Sequence, residues 1–294
     1  MDTITQISAQ PSRVRTIVFW ITTAIVIIGM LIGGALQLTH YPLQTSILTG
    51  LGYPPYLLNI IGACKILGAI TLLLSRNTAL KTAAYAGLFF IVITATVSHV
   101  AHGDFISAIN PFVVAVITLI SYRLNPKLTS AATPVSSNRA KRIAWWSAII
   151  VLEFVLLSGG IGELFHLWGT VQGTVNQLGY PLYFLSIIGV WKIAGGIALL
   201  FPGFPRLQLW AYIGIFFDFT GAAASSLSVG SSPFHVITPL LFAGLTITAW
   251  MLQRYRFSPL ATTSNGLPFQ LYKWPAQRPY HCQRSLPNEW RRPE

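Results

Sequence analysis

Five ionisable side chains, Lys65, Glu153, Glu163, Lys192 and Asp218, stand inside long apolar runs of the sequence. An ionised group at the centre of a membrane helix costs at least ~2.5–3.5 kcal/mol, so such groups turn inward and find partners. Lys192 and Asp218 fall midway along two successive runs, and Glu153 midway along the run before them. Their shared depth predicts a Lys192–Asp218 pair with Glu153 near it or sharing it. Carboxylates beside an ammonium can hold and pass a proton; the same set can also be a buried ion pair that only fixes helix register. Lys65 has no acidic residue in the four runs around it. That leaves an acid from the other half of the chain, loss of its proton, or an anionic ligand.

A second group gathers at the ends of these runs: His40, His99, His102, His166 and His235, with Asp104 and Glu163 at similar depth. Histidines on one face suit proton, metal or quinone-headgroup chemistry. None are four apart as helical metal ligands would be, so no metal is expected, and an imidazole also sits well at an interface because its body is apolar and its tip polar.

The elements that must carry these groups are membrane helices. The chain has 294 residues, 53% hydrophobic and 9% charged, against about 25% charged in soluble domains. Runs of about 20 apolar residues match a hydrocarbon core roughly 30 Å thick, and lipid leaves backbone groups no partner outside a helix or a closed barrel. Barrel strands would alternate in polarity; these runs do not. The expected class is therefore all-α: a polytopic membrane protein with eight spans at 16–38, 55–75, 79–100, 107–123, 143–165, 183–202, 207–228 and 233–252. Outside the spans, Lys and Arg fall on one side only; the loops 38–54, 101–106, 166–182 and 229–232 carry none. The positive-inside rule then places both termini in the cytoplasm. The net charge of +12 lies along that side, so the expected partner is the lipid bilayer and not nucleic acid.

The two halves repeat at an offset of about 127 residues. Leu51-Gly52-Tyr53-Pro54 returns as Leu178-Gly179-Tyr180-Pro181, Lys65 as Lys192, and Ala84-Tyr85 as Ala211-Tyr212; Gly33-Gly34 and His40 return as Gly159-Gly160 and His166 with one residue of slip. Each copy has an even number of spans, so the copies share one orientation, as parallel repeats do. The expected organisation is a cytoplasmic N-terminus (1–15), a first four-helix unit (16–123), a polar linker (124–141), a second unit (142–253) and a basic, disordered cytoplasmic tail (254–294). Cys64 and Cys282 form no framework. Phosphate-loop, GxSxG and HExxH signatures are missing from the sequence.

These motifs together resemble the DoxX-like family of small four-helix membrane proteins. The resemblance rests on LGYPxYxLxIIGxxKIxG at 51–68 and 178–195, AYxGxFF at 84–90 and 211–217, and Ser98-His99-Val100-Ala101-His102-Gly103-Asp104. The family's third helix carries F-D-x-T-G-A-x-x-S-H. Here the second unit keeps Phe217-Asp218 but has Ser226 in place of the histidine, and the first keeps Ser98-His99 but has Ile91 in place of the aspartate. The division implies one composite site instead of two equal ones. The resemblance also implies an inner-membrane protein associated with quinone-linked redox chemistry: an accessory subunit that binds quinone or relays protons beside a redox partner. The alternatives are a non-catalytic membrane scaffold and a transporter of small molecules or lipid.

Overall fold

The computed structural model describes residues 13–125, 139–201 and 204–253, and every regular element among them is helical. The helices are α1 (Arg13–Leu38), α2 (Pro42–Gly50), α3 (Leu57–Leu74), α4 (Thr78–Ala101) and α5 (Phe105–Leu124), then α6 (Arg139–Leu164), α7 (Trp168–Thr170) running into a π-helical stretch (Val171–Gln177), α8 (Leu182–Leu200), α9 (Pro205–Ser228) and α10 (Pro233–Gln253). Seven of these, α1, α3, α4, α5, α6, α8 and α10, are long and apolar enough to cross a membrane. α9 has 24 residues and carries Arg206, Gln208 and Asp218 as well as several Ser and Gly, which lowers its hydropathy. Its neighbours explain the polarity: α9 packs on α10, α8 and α4, so polar side chains there find protein instead of lipid. Most of the expected N-terminus, linker and tail lie outside the described residues.

Loops were expected at 38–54 and 166–182, but both contain helix. Pro42 at the first turn and the chain reversal after Gly50 delimit α2, a pattern suited to a short helix because proline needs no N–H partner there. Two residues past the end of each long helix α1 and α6 stands a histidine with left-handed backbone, His40 at φ 48° and His166 at φ 52°. Their rings reach onto the following long helix: His40 Nε2 lies 2.8 Å from Asn59 Oδ1, and His166 Nε2 2.8 Å from Ser186 Oγ.

Within each unit, two glycines let the first long helix meet the next. A Cβ on Gly34 would come within 3.0 Å of Gly62 O, and one on Gly189 within 2.7 Å of Gly160 O. Small residues at such crossings bring backbones together where lipid supplies no hydrophobic drive. The first core gathers Met30, Leu72, Tyr85, Leu88 and Tyr122; the second gathers Trp145, Leu152, Leu156, Leu199, Tyr212 and Phe219.

The two units meet through equivalent residues exchanged across a pseudo-two-fold relation. Gly87 of α4 faces the Phe217 ring and Gly214 of α9 faces the Phe90 ring; a Cβ on these glycines would lie 2.8 and 3.1 Å from ring carbon. At the ends of the bundle, Tyr56 Oη donates to Leu178 O and Tyr183 Oη to Leu51 O, both at 2.7 Å. Tyr53 and Tyr180 meet edge to face with centroids 6.0 Å apart, and each phenol is hydrogen-bonded inside its own unit, to Ser98 at 2.7 Å and Ser225 at 2.8 Å. Burial raises both phenols above their usual range, so they stay protonated. Gly52 and Gly179, at φ 82° and 75°, make the turns that present these tyrosines.

Candidate functional site: an intramembrane lysine between two carboxylates

Lys192 stands on α8, whose close crossing with α6 is set by Gly160 and Gly189. From there its Nζ donates to Glu163 Oε1 in the last turn of α6 and lies 3.6 Å from Asp218 Oδ2 on α9. Three helices are thus joined at one ammonium. The expected Lys192–Asp218 pair forms, and Glu163, expected among the histidines at the bundle end, joins it. The sequence held the signal: Glu163 is four residues after Gly159, which puts both on one face of the helix. Glu163 Oε2 is buried and has no hydrogen-bond partner. With both acids ionised the cluster carries one excess negative charge, so it can take up one proton without breaking apart.

Glu153 does not share that ion pair. It is 8% exposed, and neither carboxyl oxygen has a hydrogen-bond partner. The carboxyl faces Gly196 of α8, where a Cβ would lie 2.6 Å from Oε2. Gly196 is one turn beyond Lys192. Glu153 and Glu163 are ten residues apart on α6, about 15 Å along the axis, and the Lys192 Cβ packs against Gly160, three residues from Glu163 and seven from Glu153. Depth in the sequence thus fails to decide which acid the ammonium meets; the register of the α6–α8 crossing does.

The first unit retains the lysine alone. Gln37 stands where Glu163 does, Ile91 where Asp218 does, and Ile27 where Glu153 does. Lys65 makes no ion pair or hydrogen bond among the described residues; a Cβ on Gly33 would lie 3.7 Å from its Nζ. Gln37 is buried, with Oε1 unpartnered.

The histidines make separate local contacts. His99 Nδ1 lies 3.4 Å from Asp104 Oδ2, His102 follows α4 as its C-cap, and His235 Nδ1 lies 3.2 Å from Ser232 Oγ. Asp104 also caps α5 through the Ser107 amide at 3.1 Å; its bonds with Ser107, aided by His99, hold its carboxyl below the usual range. No three His, Cys, Asp or Glu side chains converge as a metal site among the described residues. Of the two fragments of the divided motif, Asp218 is engaged by Lys192 and His99 by Asp104.

A match to the DoxX-like family model occurs twice, over residues 21–121 and 147–249. The chain belongs to the DoxX-like family. The two matched segments are the two packed units, so this is a tandem DoxX-like membrane protein whose acid–lysine cluster is confined to the second copy. No curated protein and no solved structure matches the chain.

Proposed function

We propose that the second DoxX-like unit relays protons between the middle of the membrane and the histidine-bearing end of the bundle, as an accessory to a quinone-linked redox partner. The observation that carries this is the Lys192–Glu163–Asp218 cluster, with unpartnered Glu153 one turn of α8 away. Glu153 is a buried carboxyl with no bonded partner, and the cluster beyond it can exchange a proton for its unbalanced charge. Glu163, in the last turn of α6, leads to the bundle end. The quinone link comes from the family resemblance. In this reading α9 is an eighth span, both termini are cytoplasmic, the histidine end faces outward, and the host is the inner membrane.

The test is proton transfer in liposomes holding a trapped pH dye, with valinomycin to balance charge. Wild type is expected to collapse an imposed pH gradient faster than empty liposomes, and Glu153→Gln or Asp218→Asn to slow the protein-dependent rate by about 100-fold or more, the lower end of what one positioned proton-transfer group contributes. Rates equal to those of empty liposomes for wild type reject the relay. A scaffold is the second reading, favoured by the reciprocal glycine–phenylalanine and tyrosine contacts between units; it requires the same variants to alter stability alone.

A further inference from the structure

The described part of the chain contains four acidic residues, and their positions account for all of them. Glu163 and Asp218 hold Lys192, Asp104 contacts His99 and caps α5, and Glu153 faces Gly196. None reaches Lys65. Yet the scaffold around Lys65 is the one that serves Lys192: the Gly34–Gly62 crossing of α1 and α3 matches the Gly160–Gly189 crossing of α6 and α8. The Lys65 ammonium lies against Gly33, one turn before Gln37 on the same face of α1. In the second unit the residue at the place of Gln37 is Glu163, which does bond the lysine. Gln37 is 8% exposed and its Oε1 has no partner. A cation and an unfilled buried acceptor therefore occupy adjacent turns close to the end of α1, within reach of the membrane interface.

We propose that Lys65 and Gln37 bind the anionic head of a membrane amphiphile, a carboxylate or phosphate whose oxygens replace the carboxylates the first unit lacks. The ammonium of Lys65 pairs with the anionic oxygen. The Gln37 amide accepts from a head-group hydroxyl through Oε1, or donates to a second oxygen through its NH2 when rotated. The acyl chain lies in the bilayer beside α1 and α3, which expose Ile25, Ile28, Ile32, Leu67 and Ile70. Such a site needs no pre-formed cavity, because the lipid leaflet itself surrounds the ligand. The inference is independent of the proton relay, which uses the other unit.

The full-length protein in mild neutral detergent would be titrated with oleate, phosphatidylglycerol or phosphatidylcholine and weighed by native mass spectrometry. One oleate or one phosphatidylglycerol per chain is expected, retained at least ten-fold better than phosphatidylcholine; oleate alone identifies a carboxylate ligand and phosphatidylglycerol alone a phosphate one. Lys65→Met should reduce retention at least ten-fold. Ile91→Asp should do the same by supplying the counter-charge that Asp218 gives Lys192. Because Ile91→Asp keeps the lysine, it also carries the test if Lys65→Met does not fold. Equal retention of anionic and neutral lipid, or retention unchanged in folded Lys65→Met or Ile91→Asp, overturns the proposal.

Discussion

Lys65 and Lys192 are the same residue in sequence and different groups in the fold. Removing Lys192 strands two carboxylates that share one ammonium, and breaking a buried pair this way destabilises by about 3–5 kcal/mol. Lys192→Met is therefore expected to lower the unfolding temperature sharply in detergent, and Lys65→Met in neutral lipid to change it little; equal losses would show that Lys65 has a protein partner. Glu153 and Gly196 form a second residue-scale couple. Their first-unit counterparts are Ile27 and Ala69, a bulkier apolar side chain opposite alanine in place of a carboxyl opposite glycine. Gly196→Ala alone should destabilise by about 1–3 kcal/mol through overpacking. The Glu153→Ile/Gly196→Ala double variant should recover wild-type stability or exceed it, since it removes an unpartnered buried carboxyl. Thermal unfolding of the four proteins in the cycle measures the coupling, and simple additivity of the two single effects would disprove it.

At the scale of elements, helix ends depend on a few side chains. Asp104 caps α5 from an exposed turn. Its folded pKa is depressed, so its contribution is fully present above the ordinary carboxylate value and is lost as pH falls through the lower folded value. Hydrogen exchange at the first amides of α5 should consequently lose protection at acidic pH in wild type and at all pH values in Asp104→Ala; identical protection in the two proteins at neutral pH would refute the cap. The tyrosines joining the units belong to this scale too. Tyr56→Phe and Tyr183→Phe each remove one inter-unit hydrogen bond of equal length. Each should therefore lower stability by a similar amount, about 1 kcal/mol, and denaturant titration of both variants checks the symmetry.

The two units meet through an interface in which several equivalent residues are exchanged reciprocally, the arrangement that identical subunits use in a two-fold dimer. The linker joins partners that already fit. Residues 1–130 and 131–294 produced as separate chains should co-purify, and Gly87→Val with Gly214→Val should separate them, because both would drive a side chain into a phenylalanine ring. Failure of the unmutated halves to associate would show that the covalent link is needed. The symmetry of the interface is incomplete: Trp210 of α9 packs across it against the first unit's core, with ring contacts to Phe89 and Tyr122 at 5.3 and 5.2 Å, and its counterpart Ala83 can make no such contact.

Helical class, membrane setting and tandem repeat were legible in the sequence because each is a pattern extended along the chain: apolar runs of bilayer length, sparse charge, and motifs recurring at one offset. The Lys192–Asp218 pair was legible as well, since two opposite charges in adjacent helices at equal depth have few other ways to be neutralised. Which further acid joins them was not. Both acids lie on α6, and the register of the Gly160–Gly189 crossing, which sets Lys192 against Gly160, selects Glu163. The short α2 and the π-helical stretch were also hidden, because nine and seven residues are too few to carry a long periodic pattern. Sequence alone could state that Lys65 had no acid in the four runs around it; only the tertiary structure, by engaging the described acids elsewhere and leaving Gln37 unpartnered on the next turn, showed that none of the described acids crosses the interface to meet it.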